Sequence, residues 1–366
     1  MVSLPVMRRT DPLIVGAGPA GCAAAIVLAR SGARPLLVDR DATPGDALCG
    51  GFLGWRTVER LRDLGLDPAA LGAQPLERVV LYGPGRPLEQ LLPRRAWGLS
   101  RKALDSRLRE LAITAGAQLA IDTVREIDGL TVRGRGREWQ PGSLFLATGK
   151  HDVRGGARPR EGGDPTLGLR LRLRPSAGLA KRLAGRIELH LFDRGYGGIV
   201  LHEDGSANVG LALRKSLLAE HGGEPHRLLA ALATRHPHFA LRLEADWRET
   251  RVDTIGAVPY GWSARETVPG LFRLGDQAAV IPSLAGEGID IALASGAAAA
   301  RAWLVGGPDA APGFQAGFRQ EIRSPMEWAG NAWKLAERPV LVGPALAAAR
   351  FAPSLLTKLI AATRLA

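Results

Sequence analysis

The sequence predicts an α/β protein: a parallel-sheet, nucleotide-binding domain interrupted by an antiparallel, β-rich lobe. Three observations predict it. The chain opens on a β–α–β pattern around a glycine cluster, with apolar runs Leu13–Val15 and Leu36–Val38 flanking a helical stretch. From Leu167 the pattern changes to strands of period two. From Leu271 it returns to a buried-type strand followed by a long helix.

The elements follow in order. Leu13-Ile14-Val15 is the first strand, Ala20 to Ser31 a helix and Leu36-Leu37-Val38 the second strand. Thr43 to Gly54 reads as glycine-rich loop and Arg56 to Leu64 as helix. Val79 to Tyr82 is a strand with Gly83-Pro84-Gly85 as its turn. Ser100 is placed to cap a helix running to Ala115, because Leu104, Leu108 and Leu111 share one face. Leu144 to Ala147 is a buried strand, and the Gly-, Pro- and charge-dense stretch Arg154 to Gly168 is a linker candidate.

The lobe strands are Leu167–Leu173, Ile187–Phe192, Ile199–His202 and Ala207–Leu213, the last two joined by Glu203-Asp204-Gly205-Ser206 as a hairpin. A helix (His226–Arg235) and a strand (Val252–Ala257) precede the return at Leu271–Leu274 and the helix from Gly288. Residues 1–75, 97–155 and 265–320 thus form a discontinuous nucleotide domain. Residues 76–96 and 160–264 form the lobe, and 321–366 a C-terminal helical segment.

At 366 residues, 46% apolar and 23% charged, the composition is that of a globular protein with a core large enough to need no disulfides. Cys22 and Cys49 imply no disulfide framework and a reducing cytoplasm, and no His/Cys cluster has metal-ligand spacing. The N-terminus is too weakly apolar for a secretory signal. The apolar run Ile289–Val305 carries Asp290 and Arg301, so it reads as a buried helix rather than a membrane span. A net charge of +12 attracts anions, but no stacking aromatics interleave with it, so nucleic acid is not an expected partner. Arg170, Arg172 and Arg174 alternate with Leu169, Leu171 and Leu173, which predicts one apolar and one solvated strand face.

Gly16-Ala17-Gly18-Pro19-Ala20-Gly21 is G-x-G-x-x-G between a strand and a helix. Gly16 permits the tight turn and Gly18 lets backbone approach a pyrophosphate. Gly21 lets helix and strand pack closely, while the helix start at Ala20 offers free N–H groups to phosphate. Asp39 follows Gly21 by 18 residues, where a ribose-binding acid is expected. A carboxylate there repels a 2′-phosphate, which favours FAD or NAD over NADP as the bound nucleotide.

Downstream, Gly270-Leu271-Phe272-Arg273-Leu274-Gly275-Asp276 with Pro282, Gly286 and Gly288 resembles the second FAD fingerprint of the flavoprotein superfamily that includes p-hydroxybenzoate hydroxylase and the geranylgeranyl reductases. The resemblance covers residues 11 to about 300. It implies a Rossmann-like FAD-binding domain of the glutathione-reductase type, with FAD as cofactor and NADH or NADPH as electron donor. It assigns Gly275 and Asp276 to the ribityl chain and pyrophosphate, and Gly286, Gly288 and Ile289 to the N1/C2=O edge of the flavin. Gly98-Leu99-Ser100-Arg101-Lys102-Ala103-Leu104-Asp105 is similar to the superfamily's R-x-x-L/F-D helix start, so Arg101 is expected at the phosphates, with Arg40 as a second candidate and Val124 over adenine.

The departures bear on the reaction. The hydroxylases' Asp-Gly motif is replaced by Ala147-Thr148-Gly149, and the halogenases' W-x-W-x-I-P segment is missing. Cys49-Gly50-Gly51-Phe52 is similar to the Cys-Gly-Gly turn of geranylgeranyl reductases. Cys49 is therefore the candidate catalytic group, to shape the site, donate a proton or sense redox state. The competing reading is a small apolar residue at a turn. The prenyl reductases' Tyr-x-Trp-x-Phe-Pro signature is absent, and Gly195-Tyr196-Gly197-Gly198 stands in the comparable hairpin.

The expected activity is a reductase-like, FAD-dependent oxidoreductase acting on a hydrophobic substrate, isoprenoid or polyketide-like. The alternatives are an FAD-dependent monooxygenase and a non-catalytic FAD-binding or membrane-docking protein. His190 and His202 are candidates to face the substrate cavity, His151 follows the Ala-Thr-Gly turn, and Tyr196 and Tyr260 are candidate proton donors. Trp55, Trp97 and Trp262 are expected in the core or cavity wall, and Cys22 at a tight helix–strand contact. Pro339, Pro344 and Pro353 should break the C-terminal segment into short helices that cap the lobe or rest basic face down on an anionic membrane.

Overall fold

The computed structural model describes residues 6–159, 162–244 and 246–365. Its nucleotide domain is a parallel five-stranded sheet in the order Leu271–Arg273, Leu144–Leu146, Leu13–Val15, Leu36–Asp39, Gln118–Ile121. Strand alternation divides the apolar residues cleanly. Ile14, Leu37, Phe145 and Phe272 pack against helices, among them Pro19–Arg30, Arg101–Thr114 and Gly288–Gly306. Leu13, Val15, Leu36, Val38, Leu144 and Leu146 pack on Ile127, Val132 and Trp139 of a second layer. That layer is a small sheet of Val6–Arg9, Glu138–Pro141, Thr131–Arg133 and Glu126–Asp128. Both faces are covered, which is why these strands read as continuous apolar runs.

Glycine and alanine bring the glycine-loop helix and the Gly288 helix together. A Cβ on Gly296 would lie 2.2 Å from the Ala20 carbonyl oxygen, so the backbones touch there. The Ile289–Val305 run is accordingly a packed core helix on this domain. By length and composition the helical stretch Gly288–Ala336 would suffice to cross a membrane, but half of its apolar window is buried inside the protein.

The lobe is built on an eight-stranded sheet: Asp253–Val258, Thr166–Leu173, Ala207–Arg214, Gly195–Leu201, Gly185–Phe192, Gln74–Tyr82, Leu88–Gly98, Phe52–Leu53. Its pairs are antiparallel except for Gly185–Phe192 on Gln74–Tyr82. One face carries Leu169, Leu171, Leu173, Phe192, Val209 and Leu213 against the helices Ala177–Leu183, Lys215–Ala219, Pro225–Arg235 and Pro237–Leu243. The other face turns Leu191, Tyr196 and Ala212 toward Trp333, Val342 and Leu346 of the C-terminal helices.

The structure corrects three expectations. The face bearing Arg170 and Arg172 is not solvated: Arg170 is buried, and both guanidinium groups grip Asp46 from the Thr43–Gly54 loop folded over them. The stretch Arg154–Gly168 is no free linker. Arg158 is buried and donates to Asp152 Oδ1 at 2.8 Å and to the carbonyls of Lys150 and Asp276, and the strand already starts at Thr166; residues 160 and 161 of this stretch lie outside the described residues. Pro339 and Pro353 each open a helix, as their fixed φ permits, but Pro344 lies inside Pro339–Phe351 and does not break it. These helices follow the long helix Ala311–Ala336, and together they cover the lobe's cavity face.

Candidate functional site

A cavity of about 1240 Å³ runs from the glycine loop, between the two sheets, to the C-terminal helices. Its floor is made by two helix N-termini. Pro19–Arg30 starts at Gly18 and Gly288–Gly306 starts at Glu287, and neither is capped by a side chain, so their first-turn N–H groups are available to a ligand. Gly16 sits at φ +103°, and a Cβ there would lie 2.4 Å from the Ala147 carbonyl oxygen. Gly21 is tighter still, with its would-be Cβ 1.9 Å from the Gly16 carbonyl oxygen. Gly18 differs: the Arg101 guanidinium, 3.5 Å from the would-be Cβ, is what its open side meets.

Around this loop the acidic and basic candidates converge. Asp39, at the end of its strand, accepts from the Ala17 N–H at 2.7 Å and from the Asp41 N–H at 3.0 Å. Arg101 is partly buried against Asp105, one turn along its helix, through two hydrogen bonds of 2.9 and 2.7 Å. Ser100 caps that helix, accepting from the Ala103 N–H, and is itself held by Glu203 of the lobe hairpin. Arg40 is half-exposed at the cavity edge, paired with Asp41 at 3.1 Å and beside His151. Val124 lines the same edge.

Arg109 went unnoticed in the sequence. It pairs with Asp39 at 3.3 Å and donates to the carbonyls of Asp41 and Ala42, fixing the chain as it leaves the strand. A signal existed, because Arg101, Asp105 and Arg109 recur every four residues on one helix face.

The second motif forms the opposite wall. Gly275, Asp276, Gly286, Gly288 and Ile289 all line the cavity. Gly275 N–H donates to Ser295 Oγ, and Arg158 holds the Asp276 carbonyl at 3.0 Å. Gly286 adopts φ +73°, and a Cβ there would strike the Phe52 ring at 2.8 Å. Beside it Arg364, from the C-terminal end, ion-pairs with the buried Glu287 and lies over the rings of Trp55 and Phe52.

The Cys49-Gly50-Gly51 turn is pinned from the lobe. Asn208 donates to the carbonyls of Cys49 and Gly50 at 3.1 and 2.9 Å. Cys49 lines the cavity, half-buried, and its sulfur accepts from the Gly51 N–H. His202 packs against Gly51, which is held at φ +70°; burial and the nearby Arg172 push its pKa down to about 4, so it is neutral. Arg172 reaches His202 Nδ1 at 2.6 Å while gripping Asp46, so one guanidinium ties the turn to the lobe.

His190 does not face the cavity. Ile187, Leu189 and Leu191 do, and alternation turns His190 to the other side of the strand, onto Glu188. Tyr196 and Tyr260 both line the cavity and both hydrogen-bond Ser283, in the turn just before Gly286. Cys22 is fully buried, its thiol donating to the Ala17 carbonyl, so it is a packing residue.

The cradle fits a flavin dinucleotide. It is long, has two uncapped helix starts able to meet a pyrophosphate and a ring edge, and places an acid and an arginine beside the first. Comparison with known proteins points the same way. Residues 9–131 match the family described as FAD binding domain. The chain is 27% identical over 339 residues to a menaquinone reductase from Mycolicibacterium smegmatis, covering 82% of this chain and 77% of the relative. It is 27% identical over 320 residues to a digeranylgeranylglycerophospholipid reductase from Methanopyrus kandleri, covering 78% and 74%. Among solved structures, a geranylgeranyl bacteriochlorophyll reductase-like protein from Thermoplasma acidophilum superposes with a TM-score of 0.71 at 21% identity, over 90% of this chain and 87% of that one.

Proposed function

Because this chain is an FAD-dependent oxidoreductase of the superfamily that includes p-hydroxybenzoate hydroxylase and the geranylgeranyl reductases, we propose that it reduces a hydrophobic organic substrate, isoprenoid or polyketide-like, with NADH or NADPH as the electron donor. The observation that carries this reading is the continuity of one cavity from the glycine loop to a largely apolar far end. Leu189 and Leu191 of the lobe face Val342, Leu346, Leu356 and Ile360 of the C-terminal helices across it. Such a lining holds a long apolar body and excludes water from the reacting end.

When bound, FAD supplies the two-electron transfer. The chain's own residues do the positioning. Gly16, Gly18, Ala20 and Gly21 present backbone to the pyrophosphate, Arg101 adds a cation there, and Asp39 takes the ribose, held in place by Arg109. Asp276 and the N–H groups of Gly286, Gly288 and Ile289 serve the ribityl chain and ring edge. Cys49, pinned by Asn208, shapes the substrate side. The replacement of Asp-Gly by Thr148-Gly149 supports a reductase over a hydroxylase.

Anaerobic addition of NADH or NADPH to the FAD-loaded protein is expected to bleach the flavin spectrum. Substrate then reoxidises it without oxygen. Reoxidation that requires both oxygen and substrate would make the enzyme a monooxygenase instead. Flavin that no nicotinamide nucleotide bleaches would overturn the donor assignment.

We also propose that the protein works in the cytoplasm with its C-terminal helices against an anionic membrane. In support, Val340 and Phe351 are 84% and 92% exposed on the same helices whose other faces line the cavity. Lys334, Arg338, Arg350 and Lys358, all exposed, lie in the same C-terminal segment. The wild-type protein is expected to co-sediment with phosphatidylglycerol-containing vesicles and to release in high salt. Replacing both Val340 and Phe351 by Glu should weaken this about tenfold while leaving flavin content unchanged. Equal sedimentation of the variant would refute the docking face.

A further inference from the structure

We infer that Ser283, Tyr196 and Tyr260 form a hydrogen-bonding subsite for a neutral oxygen on the substrate, which is therefore an apolar molecule with a carbonyl or hydroxyl head rather than a plain hydrocarbon. The inference rests on the hydrophobic-substrate reading above and narrows it.

Three elements bring these hydroxyls to one point. Tyr196 comes from the lobe strand Gly195–Leu201, Tyr260 from the segment after Asp253–Val258, and Ser283 from the turn before Gly286. Tyr196 Oη lies 2.8 Å and Tyr260 Oη 2.5 Å from Ser283 Oγ. Trp333 of the long C-terminal helix meets both phenol rings edge-on, with centroids at 5.9 and 5.7 Å, and fixes their orientation. All three hydroxyl-bearing residues line the cavity beside the loop assigned to the flavin ring edge.

The hydrogen count explains what the cluster needs. Each hydroxyl has one proton, and a serine oxygen accepts at most two hydrogen bonds. A phenol is the stronger donor, so both tyrosines donate to Ser283 and fill both its acceptor positions. The serine proton then has no acceptor within the cluster and is left to the cavity. Burial raises the pKa of Tyr260 to about 12 and that of Tyr196 still further, so both phenols keep their protons across the working range. A carbonyl or hydroxyl oxygen takes up the spare proton, whereas a hydrocarbon leaves it unsatisfied. The charge of Asp276 also acts on Tyr260 and disfavours an anionic head at this point.

The test uses the FAD-loaded protein and two probes of nearly equal shape, 2-acetylnaphthalene and 2-ethylnaphthalene, titrated by perturbation of the visible flavin band. The wild-type protein is expected to bind the ketone about tenfold more tightly than the hydrocarbon. The triple variant Ser283→Ala, Tyr196→Phe, Tyr260→Phe, which keeps none of the three donors, should lose most of that preference by weakening the ketone alone. Flavin content and the affinity for 2-ethylnaphthalene, read on the same samples, show that the cavity is intact; the wild-type comparison decides by itself where the triple variant loses flavin. Equal affinity of the wild-type protein for the two probes, or an undiminished ketone preference in the triple variant, overturns the subsite. Flavin that no donor bleaches would overturn the reductase reading instead and leave the probe result standing.

Discussion

Arg242→Met unfolds with a loss of about 3–5 kcal/mol relative to the wild-type protein, because it leaves a carboxylate buried without its cation. Glu188 is fully buried on the helix-covered face of the lobe sheet. Its oxygens accept from Arg242 Nε at 2.8 Å and Nη2 at 2.9 Å, from Tyr82 Oη at 3.2 Å, and lie 3.2 Å from His190 Nε2. Arg242 also donates to Tyr82 Oη at 2.7 Å, and Tyr82 stacks on His190 at 4.4 Å. Burial by itself would raise the Glu188 pKa, but the hydrogen bonds from His190 and Arg242 and the Arg242 charge win and hold it at about 2. A folded pKa below the unfolded one means stability that is present above the ordinary glutamate range, near pH 4.5, and lost as the pH falls toward 2. Without Arg242 the cation that opposes burial is gone, so the Glu188 pKa moves up and the variant's deficit narrows on acidification. Urea unfolding at pH 7 and pH 4 reads both effects. The double variant Glu188→Gln, Arg242→Met should recover much of the loss, since no charge remains to be paired. A single variant as stable as wild type at pH 7 would show that this network contributes little.

The parts of the molecule legible in the sequence are those whose causes are local. The glycine loop announces itself because Gly16 needs a positive φ and Gly21 a close approach, and both demands leave glycine in the text. Ser100 marks a helix start because its side chain can meet the Ala103 N–H whatever the fold. The second motif is legible for the same reason, as a strand that ends in Gly275-Asp276 before a turn and a helix. Strands of the small sheet such as Glu126–Asp128 and Thr131–Arg133 are three residues each, too short for periodicity to register. Leu88–Gly98 was missed because Pro93, Arg94 and Arg95 interrupt its alternation in mid-strand.

What the sequence withheld depends on what covers each face. Alternation separated Arg170 and Arg172 correctly from the leucines, but solvent was a guess that Asp46 replaced once its loop folded across them. The same rule put Glu188 and His190 opposite Leu189 and Leu191 without saying which side held the cavity. Pairing of Tyr196 and Tyr260 on Ser283 joins residues 87 and 23 positions apart and leaves no local trace.

The glycine loop yields the other large effect, and it separates binding from folding. A Cβ at Gly18 meets nothing nearer than the end of the Arg101 side chain at 3.5 Å, and the residue's φ of −83° and ψ of −171° suit any amino acid. Gly18→Val should therefore fold with a melting temperature close to that of the wild-type apoprotein. Its side chain, however, occupies the mouth through which the pyrophosphate must approach the backbone and Arg101, so FAD affinity is expected to fall about 100-fold, equivalent to roughly 2.8 kcal/mol. Gly21→Val behaves differently. Its Cβ would sit 1.9 Å from the Gly16 carbonyl oxygen and 3.2 Å from Ile14, both part of the sheet–helix contact and neither free to move away. The helix must lift off the strand, at about 4 kcal/mol or more, and little folded protein should accumulate. Fluorescence titration of the apoproteins with FAD, beside their thermal unfolding, distinguishes the two. Tight FAD binding by Gly18→Val would remove the pyrophosphate from this loop and break the assignment of Arg101 with it, whereas a folded, stable Gly21→Val would show that the helix has room the structure denies.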